Sequence, residues 1–376
     1  MEGFEKPRLK SLLEHFAEVE DFRESWRVAH PLPEILLLVV CATIASCDDF
    51  EDIGMWGKTH LPFLRRFLPY HHGVPSGRWL NILINRINPD LFSACFMAWA
   101  RTLHEQVPAQ IAFDGKTLRR SHDASTGKAA LHLVSAFATH QKLVLGQEAT
   151  EEKSNEITAI PLLLEKLARQ GALTGALVTT DAMGCNHRVT QSILEHKADY
   201  LIALKGNQGD LLDDVKTFFN EPSFPIKTHI DHDKGHGRIE TRIAQVCHDV
   251  AWLKREKFPD IALIACVENQ TEKGKTKTHE RRYYISSRPM SACTLLKAVR
   301  AHWQIENALH WVLDVTFKDD LSRVRKGHGA KNMAVVRHFS INLVRNAKDK
   351  KSIKTRRKLA GWDTNYLANL IVNPDS

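Results

Sequence analysis

From Pro108 onward, short apolar runs separated by turn residues follow one another in an order that few folds accommodate. Gln110-Ile-Ala-Phe-Asp114 reads as a short strand ending in Gly115-Lys116. Leu131–Thr139 and Lys142–Thr150 read as two further strands around a His140-Gln141 turn. A helix is expected over Glu156–Gln170, then an apolar strand Ala176-Leu-Val-Thr-Thr-Asp181 followed by Met183-Gly184. An amphipathic helix near His187–Lys197 and a strand Tyr200-Leu-Ile-Ala-Leu-Lys205 close the series. The order is β-β-β-α-β-α-β, and the first three strands can pair as a meander.

That order is the order of a ribonuclease H-like α/β core. Residues 1–106 read as an all-helical N-terminal domain. Apolar positions recur at helical spacing through Leu9, Leu12, Leu13, Phe16 and Val19, with breaks at Pro31, Pro33 and Asn88-Pro89. Residues 107–205 form the first part of the core. Residues 206–290 turn β-rich and basic, with strands expected at Arg238–Cys247, Ile261–Glu268 and Arg281–Ser286. This stretch is an expected insertion, after which the core resumes over 291–346. One long helix is expected from Ala292 to about Phe317, and residues 347–376 form a basic C-terminal segment.

Charge becomes informative once it is located. The formal charge of the 376-residue chain is +8, yet residues 321–360 alone hold thirteen Lys/Arg against the single acid Asp349. A near-neutral body with one cationic block points to a polyanion partner, although a solvated helix face or tail has the same composition. Met333, Val336, Phe339, Ile341 and Val344 suggest a helix with a basic face to about residue 346, and Lys348–Lys358 reads as a tail. The longest apolar run, Ile35–Ala45, has eleven residues, short of the ~20 that cross a bilayer. A buried helix and no membrane partner are expected. Seven scattered cysteines without a C-x-x-C pair argue against a disulfide framework and a zinc ribbon, which fits a reducing, cytoplasmic compartment.

Three carboxylates stand out by placement. Asp114 and Asp181 end two strands, and sites form at the carboxyl ends of strands in open α/β sheets. Glu306 lies in a helix with His302 and His310 four residues to either side, on one face. Trp303 and Trp311 are expected to pack that helix against the sheet, with stacking on an unpaired base as the alternative. Three converging oxygen ligands suit Mg²⁺ or Mn²⁺. Locally, an aspartate after a strand is equally a helix N-cap, and a helical glutamate is ordinarily solvated.

Several segments together resemble bacterial insertion-sequence DDE transposases, most closely the H-repeat-associated subgroup. Ala112-Phe-Asp-Gly-Lys-Thr-Leu-Arg119 resembles the first-aspartate motif. Glu152-Lys-Ser-Asn-Glu-Ile-Thr-Ala-Ile-Pro161 and Thr179-Thr-Asp-Ala-Met-Gly184 resemble the next two blocks. Asp199–Gln208 and His236–Arg242 follow, and Arg300-Ala-His-Trp-Gln-Ile-Glu-Asn-Ala-Leu-His-Trp-Val-Leu-Asp-Val315 resembles the glutamate helix. The resemblance runs through the whole chain.

The resemblance implies Asp114, Asp181 and Glu306 as the catalytic, metal-binding triad for Mg²⁺ or Mn²⁺. It implies a DNA transposase that cuts the ends of its element and joins the 3′-hydroxyl to target DNA. Double-stranded DNA is the implied partner, with the helical domain 1–106 implied to take part in binding it, and a homodimer on DNA is expected because two ends must be held together. The Tyr, Arg and Lys of the wider superfamily are replaced here by Val299, His302 and Leu313, so Arg300, His302 and His310 are the expected phosphate clamps. Lys116, Arg119, Lys205, Arg238, Lys350, Lys351, Arg356 and Arg357 are the remaining expected DNA contacts. Where relatives carry Asp-Thr after a proline, this chain reads Gly73-Val-Pro-Ser-Gly-Arg-Trp79. A metal-dependent nuclease without strand transfer and a non-catalytic DNA-binding relic are the alternatives.

Overall fold

The computed structural model describes residues 7–122, 127–150, 156–235, 237–253, 258 and 260–372. Residues 152–155 of the second resembling block and His236 therefore lie outside the described residues.

The N-terminal region is helical, as its periodicity predicts. It comprises α1 (Pro7–Glu18), α2 (Leu32–Ile44), α3 (Phe50–Thr59), α4 (Leu61–Leu64), α5 (Gly77–Ile84) and α6 (Pro89–Arg101). Side-chain caps start three of them. Asp49 accepts from the Asp52 amide, Ser76 from Trp79, and Asn88 from Asp90 and Leu91. The long apolar run forms α2, buried from Glu34 through Ile44 because neighbours cover every side of it.

The rest of the molecule is built on a mixed nine-stranded sheet of order β3-β2-β1-β4-β5-β9-β8-β7-β6. Strands β1 (Gln110–Leu118), β2 (Leu131–Ala138) and β3 (Leu143–Thr150) form the expected antiparallel meander. After α7 (Glu156–Arg169), β4 (Leu177–Thr180) runs parallel to β1, and after α8 (His187–Glu195), β5 (Asp199–Leu204) runs parallel to β4. Strand β1 is longer than expected, because β2 pairs with it through Leu118 after β4 has ended.

Beyond α9 (Gly209–Asn220), the strands expected as a separate insertion join this same sheet. They are β7 (Arg238–Cys247), β8 (Leu263–Lys273) and β9 (Thr276–Ser286), preceded by β6 (Lys227–Gly235), which the sequence does not mark. Strand β9 pairs antiparallel with β5, with Ala203 opposite Tyr284 and Leu204 opposite Tyr283. The far ends of all four strands continue beyond β5 as a projecting arm.

The expected long helix is interrupted. It consists of α10 (Ala292–His302), a π-helical turn Ile305–His310 and α11 (Trp311–Val315). Trp303 is 41% and Trp311 57% exposed, so the expectation that they pack on the sheet is corrected. The π turn inserts a residue into the helical repeat and rotates the faces that uniform spacing assigns.

The basic block also folds differently from its reading. Helix α12 (Gly329–Arg345) is buried from Ala330 through Val344 apart from Lys331, packing on α2, α6 and β3 rather than presenting a basic face. Its buried amide donors are satisfied: Asn332 donates to the Ile84 and Ile87 carbonyls, and Asn342 pairs with both backbone groups of Val144. Phe339 lies 4.9–5.9 Å between ring centroids from Phe16, Phe92, Phe96 and Trp99, tying α12 to α1 and α6. The expected tail is instead α13 (Ile353–Trp362) and α14 (Thr364–Val372), folded against the N-terminal helices. Among the described residues, no helix is long and apolar enough to cross a membrane.

Candidate metal and DNA site

The sheet register places the first two carboxylates. Phe113 and Thr180 are the last paired residues of the parallel strands β1 and β4, so Asp114 and Asp181 follow at the same level on the carboxyl edge. Asp114 remains in strand opposite Ser135, and its Oδ1 accepts from the Gly115 amide at 2.9 Å. Asp181 opens a 3₁₀ turn, Ala182–Gly184, and accepts from the Gly184 amide at 3.4 Å. The N-cap reading of Asp181 is therefore met in part, while its side chain also lines the cavity described below.

The π turn brings Glu306 and His310 over Asp114. His310 Nδ1 lies 3.4 Å from Asp114 Oδ2 and 3.7 Å from Glu306 Oε2. One ligand atom from each of Asp114, Glu306 and His310 fits within 4.8 Å of the others. Asp114, Asp181, Glu306 and His302 line a single cavity of about 420 Å³. Thus the expected carboxylates converge on one cavity, with His310 as the third member of the tightest cluster.

The electrostatics follow from burial and from this pairing. Hydrogen bonding to His310 holds the Glu306 carboxyl down at about 2, against the opposing effect of burial. Burial raises Asp114, and its bond to His310 offsets part of that. Burial alone would lower His310, but bonds to Asp114 and Glu306 outweigh it and raise the imidazole to about 9. At His302 burial prevails and pushes the imidazole down to about 4, while Thr179 Oγ1 sits 3.0 Å from its Nδ1. The cluster is two carboxylates around one imidazolium, a donor set that fits a divalent cation once the imidazole proton is displaced.

Two buried arrangements fix β1 at this point. On the Asp114 face, Lys116 Nζ lies 2.5 Å from Asp314 Oδ1 and 2.5 Å from Asp319 Oδ2, and Asp319 pairs with Arg337 at 2.7 Å. On the opposite face, Thr117 Oγ1 lies 2.8 Å from His132 Nδ1, and His132 Nε2 lies 2.6 Å from Glu156 Oε1. Gly115 sits beneath that second group, where an added Cβ would collide with Glu156 and His132.

Lys116 is consequently buried between two carboxylates, so the expectation that it meets DNA is corrected. Arg119 and Lys205 are exposed, and Lys205 lines the cavity. Arg300 pairs with Asp231 at 3.0 Å and lines a neighbouring cleft with Arg242, Arg282 and Lys297. Arg238 lies at the far end of the arm, 2.7 Å from Glu240. Lys350 and Lys351 are exposed between α12 and α13.

Arg356 and Arg357 are not available to DNA, and the expectation that they contact it is corrected. Arg356 donates to the Val344 and Ala347 carbonyls and to Asp349, closing the C-terminus of α12. Arg357 is 3% exposed, donates to the Thr43 carbonyl, and lies 4.1 Å over the Phe317 ring. Arg282 carries no motif that marks it in the sequence, yet its guanidinium lies 4.8 Å over Trp303 at the cavity wall.

Residues 105–343 match the family model described as the transposase DDE domain, and residues 13–100 match the one described as DDE_Tnp_1-associated. The chain is 39% identical to "H repeat-associated putative transposase YhhI" of Escherichia coli K12, over 96% of this chain and 98% of that protein. It is 36% identical to "Putative transposase YncI" of Escherichia coli O157:H7, over 97% and 95% of the two chains. A solved structure of a piggyBac transposase synaptic complex with hairpin DNA overlays with a TM-score of 0.44 and 12% identity, covering 100% of this chain and 81% of that one.

Proposed function

The chain belongs to the transposase DDE-domain family, and from that premise we propose that it cuts the ends of its own element and joins the freed 3′-hydroxyl to target DNA. The observation that carries this reading is the placement of Asp114 and Asp181 at one level on adjacent parallel strands, facing the same cavity as Glu306. The strand order β3-β2-β1-β4-β5, with an antiparallel meander and two parallel additions, supports a ribonuclease H-like core.

Asp114, Asp181 and Glu306 are the proposed catalytic residues and the holders of Mg²⁺ or Mn²⁺. A divalent cation at this site supplies neutralisation of charge developing at the scissile phosphate. The chain's own contribution is position and polarity. Asp114 is fixed by the pairing of β1 with β2 and β4, and Glu306 is turned toward it by the π segment. His310 holds the two carboxylates together as a cation. His302, kept neutral by burial, can accept a proton or hydrogen bond at the cavity wall. Arg119, Lys205, Arg300, Lys350 and Lys351 are exposed and are proposed to contact the DNA backbone, with two copies of the chain holding two ends.

The joining step separates this reading from a nuclease. Incubated with Mg²⁺, a duplex with a pre-cleaved 3′-hydroxyl end and a supercoiled target plasmid should give covalently joined products. Nicking of the plasmid without joining would contradict transposition while leaving phosphodiester cleavage in place.

A further inference from the structure

We propose that the tip of the β6–β9 arm is a grip for the phosphate backbone of duplex DNA; this rests on the transposase reading and adds a surface to it. The sheet's topology places the arm. The parallel pairing of β1, β4 and β5 ends just before the level of Asp114, Asp181 and Ala203, and Tyr284 of β9 pairs at that level. Because β9 is antiparallel to β5, the residues that precede Tyr284 project past the carboxyl edge, on the side where the carboxylates lie. At a rise of about 3.4 Å per residue, the turn at Thr276 stands about 27 Å beyond that level. That distance matches about eight base pairs of duplex.

Register brings two hairpin turns together at the tip. Gly235 pairs with Arg238 at one turn, Lys273 with Thr276 at the other, and Ile239 with Glu272 between them. Lys234, Arg238, Lys273, Lys275 and Lys277 are all exposed there. The carboxylates among them are Asp233, Glu240 and Glu272. Glu272 takes Lys277 at 2.6 Å, and Asp233 faces Arg242 and Arg300 at 3.7 Å. Arg238 lies 2.7 Å from Glu240. Charge on exposed lysines also keeps sheet edges from pairing with one another. Edge protection does not require cations from two separate hairpins to gather at one end, on the side of the sheet that carries the carboxylates. A backbone grip does.

The test uses the full chain and a 40-base-pair duplex of arbitrary sequence, with affinity measured across a salt series. Three variants are compared with wild type: K273Q/K275Q/K277Q, K234Q/K273Q drawn from both turns, and the control R169Q/K197Q, exposed where α7 and α8 end on the opposite edge of the sheet. Each phosphate that a variant no longer neutralises lowers the slope of log affinity against log salt by about 0.9. The triple arm variant should therefore fall by two to three units of slope and about tenfold or more in affinity, and the double arm variant by about two-thirds of that slope. The control should match wild type. Arm variants that match the control, or a control that falls equally, would overturn the proposal and leave the transposase reading untouched. A wild-type protein that does not bind the duplex would overturn both.

Discussion

Lys116 Nζ lies 2.5 Å from carboxylate oxygens of both Asp314 and Asp319, two residues along β1 from Asp114. Asp314 follows Glu306 by two helical turns, so this buried clamp sets the register of the glutamate helix over the strand that carries the first aspartate. Removing Lys116 leaves the half-buried Asp314 without its cation beside the buried Asp319, which keeps only Arg337. Lys116→Met should cost about 1–3 kcal/mol in unfolding free energy, because solvent and Arg337 offset part of the loss, and abolish DNA cleavage. DNA affinity measured by anisotropy should stay close to wild type, because the ammonium does not reach the DNA.

Gly115 has no room for a side chain beneath Glu156 and His132. Gly115→Ala should destabilise by about 1–3 kcal/mol and slow cleavage by displacing Asp114. Combining it with Glu156→Ala should destabilise by less than the sum of the two, since the colliding carboxylate is gone. Denaturant unfolding of all three variants measures this coupling.

Phe339 is the ring that four other aromatics share. Phe339→Ala should cost about 3–5 kcal/mol by transfer and cavity terms together. Because the N-terminal helices and the sheet both pack on α12, a single unfolding transition should shift as a whole, without a separate early melt of residues 7–101.

His338 is fully buried, and desolvation pushes it down to about 3. The unfolded chain protonates this imidazole near its ordinary value of 6.5. The unfolded state therefore binds the extra proton below that value, and the associated stability is complete above it and is lost as pH falls toward 3. Between pH 7 and 5.5, wild type should lose about 1 kcal/mol more than His338→Phe, close to one proton's worth. Chemical denaturation at the two pH values checks the sign.

Arg356 and Arg357 look like DNA contacts in the sequence and are structural in the fold. Their alanine variants should unfold more easily and yet bind duplex DNA with the salt slope of wild type. A reduced slope in either would return that residue to the DNA surface.

The legible parts of the fold are those where local pattern and tertiary role agree. Strands β2 to β5, α7 and α8 lie within two residues of their expected limits, because their apolar periodicity is also their burial. Asp181 is readable as a strand-end carboxylate without any knowledge of strand pairing, whereas Asp114 reads so too but lies inside β1, because β2 continues past the point where β4 stops. The illegible parts depend on distant partners. The run Arg356-Arg357 reads as surface because the Thr43 carbonyl that takes Arg357 is 314 residues away in sequence. Strand β6 carries polar residues on both faces along most of its length, so no alternation marks it. Trp303 and Trp311 read as core because uniform helical spacing does not foresee the π turn between them.

At the centre of the proposed function, Asp181 serves phosphodiester chemistry at the same site as Asp114 and Glu306. The most direct test is Mg²⁺-dependent cleavage of duplex DNA by Asp181→Asn beside wild type, with DNA affinity measured on the same samples. Unchanged affinity and no detectable cleavage by the variant are the predicted result. Cleavage by Asp181→Asn equal to that of wild type would contradict it.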